Sequence, residues 1–219
     1  MMLYSSVMHL LRKELLLEWR NKYAISGIFM YLLSIILIIF FTFENVQSAV
    51  WVVLFWIIVL FTAINAVAKS FLSDSSGRNL YLYTLGSAQS IILSKIIYNI
   101  CIMLFLSLIG VIFYSISVGF PVIDNASFFI VLILGAISFA SIFSMMSAIA
   151  SKANNSGTLI AILSFPVIIP ILKILVRVSL NAVSASDFSI NLQDILYLFA
   201  LDVFIIALAL ILFQYLWRD

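Results

Sequence analysis

The chain has 219 residues, the size of one domain, with 11 Lys and Arg against 9 Asp and Glu and a formal net charge of +2. It is 65% hydrophobic and only 9% charged, with a mean hydropathy of +1.27. A soluble domain carries about 25% charged residues, so this composition excludes a fully polar surface and makes lipid the main solvent. Without a basic run or aromatic–basic interleaving it also excludes nucleic acid as a partner.

Before any span, residues 4–22 read as an amphipathic helix in the membrane interface. At about 100° per residue, Tyr4, Met8, Leu11, Leu15 and Trp19 form an apolar stripe, while His9, Arg12, Lys13 and Arg20 gather elsewhere. Leu10 and Leu17 fall outside the stripe. The basic groups suit lipid phosphates and Trp19 suits headgroup level. Glu18 can pair with Lys22 at i,i+4. The helix reads either as a plain anchor or as one on which Glu14 and Glu18 meet a cytoplasmic partner. A cleavable signal is not expected, because charges fill 12–22 and no A-x-A-like site follows.

Six apolar runs follow: Ala24–Phe43, Ala49–Ala68, Ile96–Val118, Ala126–Ala150, Thr158–Val176 and Ile195–Trp217. About 20 helical residues cross a ~30 Å hydrocarbon core, so each run can span. Short alternating segments are absent, which argues against a β-barrel. Nine basic residues fall on one side: Arg12, Lys13, Arg20, Lys22, Lys69, Arg78, Lys95, Lys152 and Arg218. The first two opposite loops hold only Glu44 and Asp124. The positive-inside rule then places both termini in the cytoplasm. The fold class expected is an all-α membrane protein, one domain over 1–219 with six transmembrane helices.

Between the second and third spans, residues 70–95 are too long and too apolar for a bare connection. Leu80, Leu82 and Leu85 alternate with Tyr81, Tyr83 and Thr84, and Gly77 and Gly86 bracket them. Ser73, Asp74, Ser75 and Ser76 supply capping and turn chemistry. A short amphipathic helix on the cytoplasmic surface fits, either an ordered surface helix without a partner or a shoulder on which a partner protein pushes.

The fifth span holds Pro166 and Pro170, each without a backbone donor, so a kink or break is expected there. Beyond it Lys173, Arg177, Asn181 and Ser184 form one polar stripe. Residues 171–194 therefore read as an outer-side segment. Its first part is either a short helix dipping back into the outer leaflet or a straight helix whose basic side chains snorkel outward. Within the spans the notable polar residues are Asn65, Asn99 and Asp202. A carboxylate at membrane depth costs about 2.5–3.5 kcal/mol on translocon scales, so Asp202 should face protein or water. It reads as a salt-link partner of Lys173 or Arg177, or as a substrate or proton group.

Enzyme chemistry is missing. No G-x-x-x-x-G-K-[ST] binds ATP, and no H-E-x-x-H or cysteine pair binds zinc. The lone His9 reads as a headgroup contact, and with Cys101 the only cysteine no disulfide forms within the chain. Paired intramembrane carboxylates are absent as well.

Several stretches together resemble a known family. They are K-E-L-L-L-E-W-R-N-K-Y-A (Lys13–Ala24), A-V-A-K-S-F (Ala66–Phe71), G-R-N-L-Y-L-Y-T-L (Gly77–Leu85), S-I-I-L-S-K-I-I-Y-N (Ser90–Asn99) and L-S-F-P-V-I-I-P (Leu163–Pro170). With the six-span plan they resemble the ABC-2 type permeases. The likeness is closer to the haem exporter protein B family (CcmB) of bacterial cytochrome c maturation, in its Bacteroidetes-type branch. Wider ABC-2 permeases often carry F-x-x-E-x-x-x-G-[ST]-[LM]-E. Here Phe71, Asp74 and Gly77 match with one residue fewer between acid and glycine, and Tyr81 stands at the second acid.

The resemblance implies a permease subunit, not itself an enzyme, in a bacterial inner membrane. It implies a homodimer paired with separate ABC ATPase subunits and associated with a haem-handling membrane protein. Spans one, two and five are candidates for the dimer wall. It implies an ATPase-coupling surface with Asp74, Gly77, Arg78, Tyr81 and Tyr83, and a secondary contact through Glu14 and Glu18. ATP would be bound by the partner subunit, and haem is the candidate substrate, alone or on a chaperone released outside. No bound cofactor is expected, because the chain offers no internal pair of axial ligands. Lys173 and Arg177 suit an anionic group such as a haem propionate or a lipid phosphate. The alternatives are an ABC-2 permease for a lipid or drug, and a membrane assembly factor without transport.

Overall fold

The computed structural model describes residues 7–14, 16, 22–67, 87–151, 156–184 and 188–216. These form seven helices and no strand among the described residues: α1 (7–14), α2 (Lys22–Thr42), α3 (Ser48–Val67), α4 (Ala88–Val118), α5 (Asn125–Ala150), α6 (Ser156–Val183) and α7 (Phe188–Leu216). Five helices, α3 to α7, are long and apolar enough to cross a membrane, and α2 is apolar over the shorter stretch Ser26–Thr42.

Helix α5 is the centre of the bundle. It packs against α3, α4, α6 and α7, and 72% of its membrane-length window is buried, against 29% for α6 and 28% for α7. Its composition explains this position. Gly135, Ala136, Ser138, Ala140, Ser141, Ser144, Ser147 and Ala148 are small and all buried. Lipid tails are as apolar as leucine, so helices in a membrane gain little by hiding apolar surface from each other. They associate through close packing and interhelical hydrogen bonds, which small residues allow. The tightest approach is at Gly135. A Cβ there would stand 2.7 Å from the rigid Trp56 ring and 3.0 Å from Leu175.

One end of the bundle is knitted by aromatic rings. Trp51 stacks on Phe55 at 5.6 Å and 12° and meets Tyr114 at 4.9 Å and Phe128 at 5.9 Å. Its indole Nε1 donates to the Gly119 carbonyl at 2.9 Å. Gly119 ends α4 at φ +93, a conformation that suits glycine because no Cβ opposes it. The backbone N–H groups of Ile123 and Asp124 then donate to the Ala182 carbonyl, at 3.1 and 2.9 Å. Asp124 caps α5 by accepting from the Ser127 amide at 3.2 Å. The α4–α5 turn is thus bound to the end of α6.

Three boundaries differ from the sequence reading. Helix α6 runs unbroken through Pro166 and Pro170 to Val183, so residues 171–183 continue that helix and do not form a separate short one. The prolines are four apart and exposed, so both rings and both freed carbonyls lie on one outer face, and the inward face keeps its packing. Helix α4 starts at Ala88, capped by Ser87, so the last eight residues of the 70–95 stretch are its first two turns. Helix α7 starts at Phe188, so Asn191 and Asp194 lie on a helix and not in a loop.

Gly135→Ala is expected to destabilise the bundle by about 1–3 kcal/mol, the range for overpacking a filled interior. Gly27→Ala, with nothing within 4 Å of its added Cβ, is expected to leave the thermal unfolding midpoint in detergent unchanged or raised.

Candidate functional site

The polar side chains that carry information in an apolar bundle are those that are buried and partnered. Three such contacts reach α5, each at a different level of the bundle.

At the α1 end, Glu14 Oε1 lies 3.7 Å from Lys95 Nζ and 3.8 Å from Lys13 Nζ. The Lys95 side chain is only 3% exposed and that of Glu14 13%. The ion pair turns α1 so that Leu10, one turn before Glu14, is buried while Met8 is 52% exposed. The stripe expected to face lipid is therefore open at Met8, and the inward face carries Leu10, which lay outside that stripe, together with Glu14. One turn beyond Lys95, Asn99 is buried and its Nδ2 donates to Ser144 Oγ on α5 at 2.7 Å. Ser144 passes its own hydrogen to the Ala140 carbonyl at 2.6 Å. Asn65 near the end of α3 is exposed, and its Nδ2 donates to the Phe61 carbonyl at 2.9 Å.

In the interior, Asp202 on α7 is 3% exposed and accepts from Ser138 Oγ on α5 at 2.5 Å. Its second oxygen has no partner among the described residues. The expected salt link to Lys173 or Arg177 is not formed. Arg177 Nε instead pairs with Asp194 Oδ2 at 3.2 Å, because α7 begins early enough to bring Asp194 alongside α6.

At the far end, Asn181 Nδ2 donates to Asn191 Oδ1 at 2.9 Å, and Asn191 Nδ2 donates to Ser127 Oγ at 3.2 Å. The chain of amides joins α6, α7 and α5. The polar stripe Lys173–Arg177–Asn181–Ser184 is therefore split. Lys173 and Arg177 are exposed, Asn181 turns to α7, and Ser184 Oγ donates to its own helix at Leu180. Lys173, Arg177, Asp194 and Tyr197 line a groove of about 600 Å³ between α6 and α7.

Of the residues singled out from sequence, Asn99, Asp202 and Glu14 are drawn into interhelical contacts, Lys173 and Arg177 share a groove, and Asn65 stays apart. Asp74, Gly77, Arg78, Tyr81, Tyr83 and Glu18 lie outside the described residues. Sequence reasoning missed Lys95, counted only as a loop charge, and Asn191. A polar residue flanked by apolar ones over several turns was the available signal for both.

Ser138→Ala strips Asp202 of its hydrogen bond and should destabilise by about 1–3 kcal/mol, read as a lower unfolding midpoint in detergent. Ser138→Ala with Asp202→Leu removes both polar groups and should recover most of that loss in the same assay.

The chain matches the family described as "CcmB protein" over residues 5–214, nearly its full length. Compared with curated proteins, it has no match. The matched stretch includes α1 to α6 whole and α7 up to residue 214. The chain therefore belongs to the CcmB family, the multi-pass, permease-type membrane components of the cytochrome c maturation ABC transporter, which work with a separate ABC ATPase.

Proposed function

We propose that this chain is the permease half of an ATP-driven exporter in a bacterial inner membrane. It crosses the bilayer six times, with α2 as the first span and both termini in the cytoplasm. At 21 residues, α2 is about 30 Å long, enough for the hydrocarbon core. Two copies pair with two ATPase subunits and associate with a haem-handling membrane protein. ATP hydrolysis on those subunits drives haem export or the release of a haem-loaded chaperone on the outer side. The chain does not ligate haem iron itself.

ATP energy enters through residues 70–95, with Asp74, Gly77, Arg78, Tyr81 and Tyr83 as the docking surface and Glu14 and Glu18 beside it. The observation that carries this reading is the Glu14–Lys95 pair. Lys95 stands on the second turn of α4, directly after the docking segment and its Ser87 cap. A displacement of that segment is delivered to α4 and, through the ion pair, to α1 together. Below Lys95, Asn99 passes it to Ser144 on the central helix. Movement of packed helices as units is how small shifts at one end reach the other.

The triple variant Asp74→Ala, Gly77→Leu, Arg78→Ala should weaken co-purification of the ATPase subunit by roughly thirtyfold, the loss of a single interface hot spot of about 2 kcal/mol. It should stop cytochrome c maturation in cells while leaving the permease in the membrane at its usual level. Unchanged ATPase binding and unchanged maturation would sink the coupling role.

A further inference from the structure

Lys173 and Arg177 form a ridge on α6 with a groove on either side. The first groove, about 600 Å³, runs between α6 and α7 and is walled by Pro170, Ile174, Ala200 and Leu201 below the polar group Arg177, Asp194 and Tyr197. The second, about 530 Å³, lies on the other flank of the same two cations, against Leu172, Val176 and Leu180, with Asn181 at one end. Each is within the size range of small-molecule sites, about 300–1,000 Å³.

The charges do not cancel. Arg177 spends its Nε on Asp194, and a guanidinium keeps four further N–H donors for another acceptor. Lys173 has no acidic partner among the described residues and is exposed. The site therefore holds one surplus positive charge, with open donors on both cations. Arg177 lies six residues before the end of α6 at Val183, about 9 Å along the axis. That depth is within reach of a headgroup layer for a snorkelling side chain. The walls of the first groove on the opposite side from Asp194 are aliphatic, as a hydrocarbon chain requires.

We propose that this ridge is a binding site for an anionic diacyl phospholipid, its phosphate on Lys173 and Arg177 and one acyl chain in each flanking groove. The surplus charge selects an anionic lipid over a zwitterionic one, whose own ammonium group would face the cations. Two grooves about one cationic ridge suit a two-tailed amphiphile better than a flat single body. Tyr197, 55% exposed at the mouth of the first groove, offers a ring at the level where such residues anchor to the interface.

The test uses the full-length protein exchanged into vesicles of equimolar phosphatidylglycerol and phosphatidylcholine, then extracted and examined by native mass spectrometry. The expected result is about a tenfold enrichment of bound phosphatidylglycerol, the worth of one to two basic residues near an anionic lipid. Lys173→Gln with Arg177→Gln should reduce the enrichment to parity. Ala200→Trp keeps both charges and fills the first groove. It should lower retention of phosphatidylglycerol but not of its single-chain lyso form, which needs only the second groove. Equal retention of the two lipids by the unaltered protein overturns the proposal. So does wild-type enrichment in the double-glutamine variant, or loss of both lipid forms to the same extent in Ala200→Trp. Displacement of bound phosphatidylglycerol by added haem at equal concentration would assign the site to a porphyrin carboxylate and also overturn it.

Discussion

The bilayer interior offers no water to a buried polar group, and this constraint orders the whole bundle. Every interhelical hydrogen bond inside it must be found among neighbouring helices, and three of them end on α5. Ser127 receives Asn191 from α7, Ser138 donates to Asp202 from α7, and Ser144 receives Asn99 from α4. Each such bond is worth only about 0.6 kcal/mol on average in a membrane protein. Their importance lies in register. Three polar partners at three depths allow α4 and α7 only one rotation and one height against α5. The small side chains that let these helices approach also leave room for the Trp56 ring and the Leu175 side chain over Gly135.

The two ends of the bundle are built by different means. At the end with α3's first turns, rings and backbone close the structure: Trp51 on Gly119, Tyr114 Oη donating to the Trp51 carbonyl, and the α4–α5 turn on Ala182. Few of these groups can move without breaking packing on several helices. At the α1 end, an ion pair and a short polar relay do the joining. An ion pair between side chains with flexible stems tolerates displacement better than stacked rings do. The proposed coupling role calls for that arrangement, a compliant linkage at the end where force would enter and a rigid clamp at the other.

Helices α6 and α7 stand at the periphery, with most of their surface turned outward. This exposure explains why both prolines of α6 are tolerated and why Lys173 and Arg177 sit on an outer face. It also makes α6 the place where the chain meets whatever surrounds it, lipid or another subunit.

Much was legible in the linear chain because it depends on one-dimensional properties. Span length follows from rise per residue, so the apolar runs marked α3 and α5 to within one residue at each end and located α4, α6 and α7. Even so, the runs read from Ile96 and Ile195 began about two turns late, because Ser, Lys, Asn and Asp at a helix start look like loop. The family was legible because its stretches survive as local words. Facing was not legible. These helices are apolar on nearly all sides, and such a helix gives no periodic signal of which side is inward. Only the tertiary structure therefore decided that α5 is central, that Asp202 meets Ser138 and not a cation, that Asp194 takes Arg177, and that Glu14 turns inward to Lys95. Composition by itself determined that the protein lives in a membrane, through the free energy of transferring each residue. The packing of one helix against four others determined which few polar groups could be kept there, since a partner's position is a property of the fold and not of the run that carries it.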